Sequence, residues 1–230
     1  MHKITKTFAA LALAIGATAL AGSNASADVL YSNLPTGANG DCVFNTACGA
    51  GFTSTITYGG QQFSLSGSST ITGLGFYSID MGGSGYSAVN WQVLTNDGAG
   101  GLPGTLIASG TVNNVSPVGS VGGSGFSSDF YDFAVTPFSV GAGSYTVAFN
   151  AVTTNTAQYL SDPGFDTTNQ SVESDDGGTT WFFGYGSTTG LNVGDSAAVE
   201  VDGTVPEPAS LALLAAGLSG LGFVRRRKTA

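Results

Sequence analysis

Residues 89–93 read Val89-Asn90-Trp91-Gln92-Val93, apolar and polar in strict alternation. In an extended chain Val89, Trp91 and Val93 fall on one face and Asn90 and Gln92 on the other, the mark of a half-buried strand. The same period returns in Tyr145-Thr146-Val147-Ala148-Phe149-Asn150-Ala151. Outward from these two, further strands are expected over residues 53–58, 61–65, 70–78, 105–112, 130–136, 180–185 and 197–202, and no helical period interrupts them. Gly59-Gly60, Asp97-Gly98, Gly100-Gly101, Pro103-Gly104, Gly141-Ala142-Gly143 and Asp176-Gly177-Gly178 read as the turns between them. About ten short strands with glycine turns predict an all-β fold, a β-sandwich of jelly-roll-like type. Residues 117–128 read as either a flexible loop or an edge insertion, and the absence of a fixed period argues against a propeller or solenoid.

Charge placement narrows the function. The chain has 230 residues, of which 9% are charged, and its basic residues are Lys3, Lys6, Arg225, Arg226, Arg227 and Lys228, with His2 the sole histidine. Residues 28–224 therefore lack Lys, Arg and His altogether. That excludes histidine-based triads, Schiff-base lysines and phosphate-gripping lysines. Residues 28–204 carry twelve Asp together with Glu173 and Glu200, a charge of −14 that repels nucleic acid. No catalytic residues are expected. A carboxylate-only glycoside hydrolase using Glu173 and Glu200 stays formally open.

The two ends read as addresses. Lys3 and Lys6 precede an apolar run from Phe8 to Ala21, and Ala25-Ser26-Ala27 offers the small residues that signal peptidase reads. Residues 1–27 are thus expected to be a cleaved signal peptide, leaving Asp28 first. At the other end, residues 205–230 hold Pro206-Glu207-Pro208, an uncharged stretch from Ala209 to Val224, and Arg225-Arg226-Arg227-Lys228. The prolines keep their segment extended, and the terminal cations place the last residues on the cytoplasmic side of a membrane helix. The exported domain, residues 28–204, lies between the two.

This tripartite tail resembles the PEP-CTERM sorting signal of Gram-negative bacteria, through Pro206, Glu207, Pro208, Arg225, Arg226 and Arg227. The resemblance implies recognition by exosortase, a membrane-embedded cysteine transpeptidase that removes the tail. It also implies transient anchoring in the inner membrane and delivery to the cell surface or to an exopolysaccharide (biofilm) matrix. Within the domain, Gln62-Phe63, Ser69-Thr70-Ile71, residues 102–110, Phe138 and Gly143-Ser144-Tyr145 resemble the choice-of-anchor families of β-sandwich surface domains.

Four local features bear on chemistry. Cys42 and Cys48, the only cysteines, are expected to form a disulfide in an exported protein. Ser174-Asp175-Asp176-Gly177-Gly178-Thr179-Thr180-Trp181 resembles the Asp-box of sialidase propellers, which there is a hairpin element remote from catalysis. Asp162, Asp166, Asn169, Asp175 and Asp176 are oxygen donors close in sequence; they are turn formers or, as the alternative, calcium ligands. Trp181, Tyr185 and Tyr86 are candidates to stack on sugar rings, against the alternative of burial in the core.

These readings together predict a non-enzymatic surface or matrix protein with a structural or adhesive role and no obligatory cofactor. The alternative is a carbohydrate-binding module, with calcium as its possible cofactor. Signal peptidase and exosortase are its expected processing partners, with a polysaccharide matrix as the ultimate one.

Overall fold

The structure is a computed structural model that describes residues 28–33, 40–42, 56–80, 85–122, 127–152, 158–161, 170–183 and 196–206. These form thirteen strands: β1 (Asp28–Ser32), β2 (Gly40–Cys42), β3 (Tyr58–Leu65), β4 (Ser69–Asp80), β5 (Tyr86–Thr95), β6 (Leu106–Val115), β7 (Gly119–Gly122), β8 (Ser127–Val140), β9 (Gly143–Val152), β10 (Gln158–Ser161), β11 (Ser171–Ser174), β12 (Phe182–Phe183) and β13 (Val199–Thr204). All pairings are antiparallel, and they build two sheets. One sheet runs β1-β13-β4-β10-β2, with β8 on the other flank of β4 and β7 outside β8; the second runs β12-β11-β3-β9-β5-β6. The described residues form an all-β sandwich.

The alternation seen in sequence is the reason the sheets stack. Val89, Trp91 and Val93 of β5 and Tyr145, Val147 and Phe149 of β9 are all buried, facing Leu74 and Phe76 of β4, Tyr131 and Phe133 of β8, and Val199 and Val201 of β13. Phe76 lies at the centre, 4.8 Å from the Phe149 ring, 5.3 Å from Tyr131 and 5.6 Å from Tyr86. Such offset aromatic contacts add to the area they bury. The Tyr86 hydroxyl shares a 2.7 Å hydrogen bond with that of Ser78, so even the polar tip is satisfied inside.

A second buried polar link joins the two sheets. Gln61 of β3 is fully enclosed, and its Oε1 accepts the N–H of Ala197 at 2.6 Å, just ahead of β13. Gln61→Leu keeps the volume and strands that N–H. The expected loss is about 1–3 kcal/mol, read by denaturant unfolding. An unchanged midpoint would remove Gln61 as the latch on β13.

Three expectations need correction. Gly59-Gly60 is no turn: β3 runs straight through both, pairing Gly60 with Ala148 of β9 and Val172 of β11. A Cβ on Gly60 would lie 2.8 Å from the Ala148 Cα and against the Val147 carbonyl, so this glycine serves a close backbone approach. The strand expected from residue 53 begins at Tyr58, since Ile56 and Thr57 are outside any strand and residues 53–55 lie outside the described ones. The strand expected over residues 180–185 shrinks to Phe182–Phe183, because Thr180 is held in the preceding turn. Within residues 117–128, β7 pairs with the start of β8, which is the edge-insertion reading.

Candidate functional site

Strand β13 is where the fold meets the chain's exit. It lies between β1 and β4, with Val199, Val201 and Gly203 buried and Glu200, Asp202 and Thr204 half-buried. Its partner β1 is the first stretch after the expected signal cleavage, and the register sets Asp28 opposite Gly203 and Ser32 opposite Glu200. The Ser32 hydroxyl donates to Glu200 at 3.0 Å, and the Asn33 N–H donates to the Val199 carbonyl at 3.0 Å. A Cβ on Gly203 would stand 2.6 Å from Leu30 Cδ1 and collide with the Thr70 carbonyl, so only glycine lets β1 and β4 both close on this point. Both termini of the domain thus leave from one end of the same strand pair. The ladder closes at Thr204, Val205 is 55% exposed, and Pro206, exposed and without an N–H, cannot extend it.

The outer face beside this exit is acidic. Gly75 of β4 pairs with Glu200 on one side and Asp132 on the other, while Gly73 pairs with Asp202 and Ala134. The two glycines leave a trough, filled over Gly75 by the Phe130 ring, which stacks on Tyr77 at 4.5 Å, and over Gly73 by the Asp202 carboxylate. Partial burial pushes Asp202 up to about 6, helped by the charges of Glu200 and Asp132. Burial raises Asp132 as well.

Two other carboxylates are held the opposite way. Asp176 Oδ1 accepts the N–H groups of Thr180 (2.9 Å) and Thr179 (3.0 Å) and the Ser174 hydroxyl (2.9 Å), while Oδ2 accepts the Thr180 hydroxyl at 2.7 Å. Gly177 and Gly178 take φ of 78° and 88°, which makes this an Asx-type turn closed by its own carboxylate, and Asp176 is lowered to about 2 chiefly by the Thr180 bonds. Asp97 does the same between β5 and β6: it accepts the Thr95 hydroxyl at 2.6 Å and the Thr105 N–H and hydroxyl at 2.8 Å each, and falls to about 2. Sequence reasoning took Asp97 only as a turn former; the Thr-x-Asp spacing of Thr95 and Asp97 was the available signal.

These shifts set a pH optimum. Asp202, raised in the fold, gives stability that is fully present below its ordinary 3.8 and lost as pH climbs through 6. Asp97 and Asp176, depressed in the fold, give stability present above 3.8 and lost as pH falls through 2. Thermal unfolding should therefore peak at about pH 4–5, and Asp202→Asn should flatten the fall from there to pH 7. A melting temperature rising steadily to neutrality would contradict this assignment.

The remaining sequence candidates separate. Tyr86 is 2% exposed and belongs to the core; Trp181 is half-buried with its ring edge-on to Tyr58 at 6.1 Å; Tyr185 lies outside the described residues. Glu173, buried on β11, and Glu200, half-buried on β13, belong to different sheets. Cys42 ends β2, where Tyr159 is its cross-strand partner, but Cys48 lies outside the described residues and no disulfide is seen among them. Asp162, Asp166 and Asn169, Ala25 and Ala27, and Glu207, Pro208 and Arg225–Arg227 also lie outside them. Among the described residues no group of three metal-ligating side chains occurs, and no helix is long and apolar enough to cross a membrane.

A shallow groove of about 500 Å³ opens elsewhere on the second sheet, lined by Gln62, Asn96, Ser144, Gln170, Phe183 and the glycines of a single-turn 3₁₀ helix at Ala99–Gly101. The Gln62 amide donates to the Gly101 carbonyl at 2.7 Å. Asn96 donates to the Ser144 hydroxyl at 2.8 Å and accepts from that of Thr146 at 2.7 Å. None of these residues is charged.

Comparison with known proteins locates the distinctive part of the chain. Residues 204–228 match the PEP-CTERM protein-sorting motif, a match that begins at the last residue of β13. No curated protein matches the chain. The chain therefore carries a PEP-CTERM motif, which marks an exported protein for membrane-associated sorting by exosortase.

Proposed function

We propose that the sandwich delivered by this tail is a non-enzymatic surface or exopolysaccharide-matrix protein with a structural or adhesive role. The observation that carries the reading is the junction. The ladder ends at Thr204 and the chain is exposed from Val205, so the tail can be cut away without removing a core residue. The product is an intact domain, anchored or released at the cell surface of a Gram-negative bacterium. Two exposed turn carboxylates, Asp97 and Asp176, are saturated by their own loops, which suits a scaffold more than a reaction centre. A Cys42–Cys48 bridge would close the chain between those two residues, a modest gain for so short a closure.

A second reading, a carbohydrate-binding module, is favoured by the uncharged groove of Gln62, Asn96, Ser144, Gln170 and Phe183. Neutral amides and hydroxyls beside one aromatic ring match the alternating polar and apolar surfaces of a neutral sugar. Calcium, if it takes part, would draw on Asp162, Asp166 and Asp175, since Asp176 already accepts four hydrogen bonds within its turn.

A glycan array run with and without calcium, beside a reducing-sugar assay on the host polysaccharide, separates these readings. The structural reading expects no released sugar ends and no discrete glycan signal. A glycan signal lost in Gln62→Ala and Phe183→Ala would move the function to the module, and turnover abolished by Glu173→Gln or Glu200→Gln would make it a hydrolase.

A further inference from the structure

Sheet edges present unpaired N–H and C=O groups, and natural proteins shorten, charge, bulge or break them with proline to prevent pairing. Nearly every edge described here is treated in this way. β1 carries Asp28 and a bulge between Val29 and Tyr31; β2 has three residues, one of them Asp41; β12 has two residues and β7 four. β8, which no strand among the described residues pairs on its outer side beyond Phe130, carries Asp132 and Pro137. β6 is the least protected. It closes the second sheet over ten residues, Leu106-Ile107-Ala108-Ser109-Gly110-Thr111-Val112-Asn113-Asn114-Val115, with no charge and no proline. Both its ends are irregular, with Ile107 bulged against β5 and Asn114 at a φ of 55°, so the regular edge is Ala108–Asn113. Among the described residues no strand pairs with its outer side.

We propose that β6 is the assembly edge of this protein, pairing antiparallel with β6 of a second copy about a two-fold axis. Charge selects that occupant. The domain carries −14 and no cation, so two copies repel wherever carboxylates face each other. The chain has no charge at all between Asp97 and Asp129, and β6 lies wholly inside that interval. A basic partner would instead be drawn to Glu200, Asp202 and Asp132 on the other sheet. With no Lys or Arg to form intermolecular ion pairs, an uncharged strand edge is a place where two such domains meet without repulsion, and a self-complementary edge meets the symmetry of a dimer. The strand is also backed firmly. Gly110 rests on the Trp91 indole, where a Cβ would come within 2.8 Å, and Trp91 stacks on Phe138 with centroids 6.0 Å apart. That stack floors a groove of about 400 Å³ between β6 and β8, beside the same edge.

The test uses processed protein recovered from its own cells, measured by light scattering after size exclusion across a wide concentration range. The expected result is a mass that doubles with concentration, with alternate β6 amides gaining protection from hydrogen exchange as the dimer forms. Ser109→Asp/Asn113→Asp, both exposed on β6, should weaken dimerisation about tenfold by bringing like charges across the new pair. Ser64→Asp/Ser66→Asp adds the same charge away from that edge and should leave the dimer intact. A monomer at every concentration, a dimer whose β6 amides stay unprotected, or equal loss in both variants would overturn the proposal. Should the β6 variant fail to fold, the exchange measurement on unmutated protein decides by itself.

Discussion

Gly60→Val is expected to cost the domain its fold. Gly60 stands in β3 between Ala148 of β9 and Val172 of β11, and a Cβ there already presses on the Val147 carbonyl and approaches the Ala148 Cα to 2.8 Å. Backbone cannot swing aside as a flexible side chain can, so the strands must part. The β3–β9 ladder runs from Gly59–Phe149 to Leu65–Gly143 and carries Phe63, Val147 and Phe149 into the core. Overpacking alone costs about 1–3 kcal/mol, and breaking that ladder adds to it. Against a total of about 5–15 kcal/mol, the variant should be largely unfolded or recovered only as aggregate. Gly67→Val is the matched control, since nothing lies within 4 Å of its Cβ position. Circular dichroism and yield read the pair, and a Gly60→Val protein melting like the control would show that β3 and β9 are not packed as described.

The same glycine shows where sequence reading stops. Val89 to Val93 and Tyr145 to Ala151 were legible because strand period is local and each face meets a different environment. A glycine pair read locally is a turn; that Gly60 instead makes room for a neighbouring backbone depends on residues almost ninety positions away. The Asp176 turn was legible for the opposite reason, as all its donors lie between Ser174 and Thr180. Strands β1, β2, β10 and β11 were not anticipated, being short and lacking a clear alternation of their own. The pairing of Asp28 with Gly203 joins the two ends of the domain, and no local pattern announces it. The sorting tail was fully legible, because exosortase reads it as sequence and the motif matches residues 204–228.

Glu207→Ala, and separately deletion of Arg225–Lys228, should each leave the tail uncleaved. Glu207 is the sole charge between Asp202 and Arg225, hence the one ionic handle a transpeptidase can grip beside two prolines. In the orientation expected from sequence the terminal cations would hold the last residues on the cytoplasmic side, and losing them would remove the orientation that presents Pro206-Glu207-Pro208 to exosortase. Neither change touches the sandwich, whose ladder ends at Thr204. The expected outcome is normal folding with full-length C-termini accumulating at the membrane, seen by immunoblot against both ends. Processing at the normal rate in both variants would show that the tail is not read in this way.

The account rests on β13 being kept while everything beyond it is removed. Intact-mass analysis of the protein recovered from its own cells tests this directly. The predicted species starts at Asp28 and ends between Val205 and Pro208, retaining every residue of β1 and β13. A full-length mass, or a C-terminus before Thr204, would contradict it.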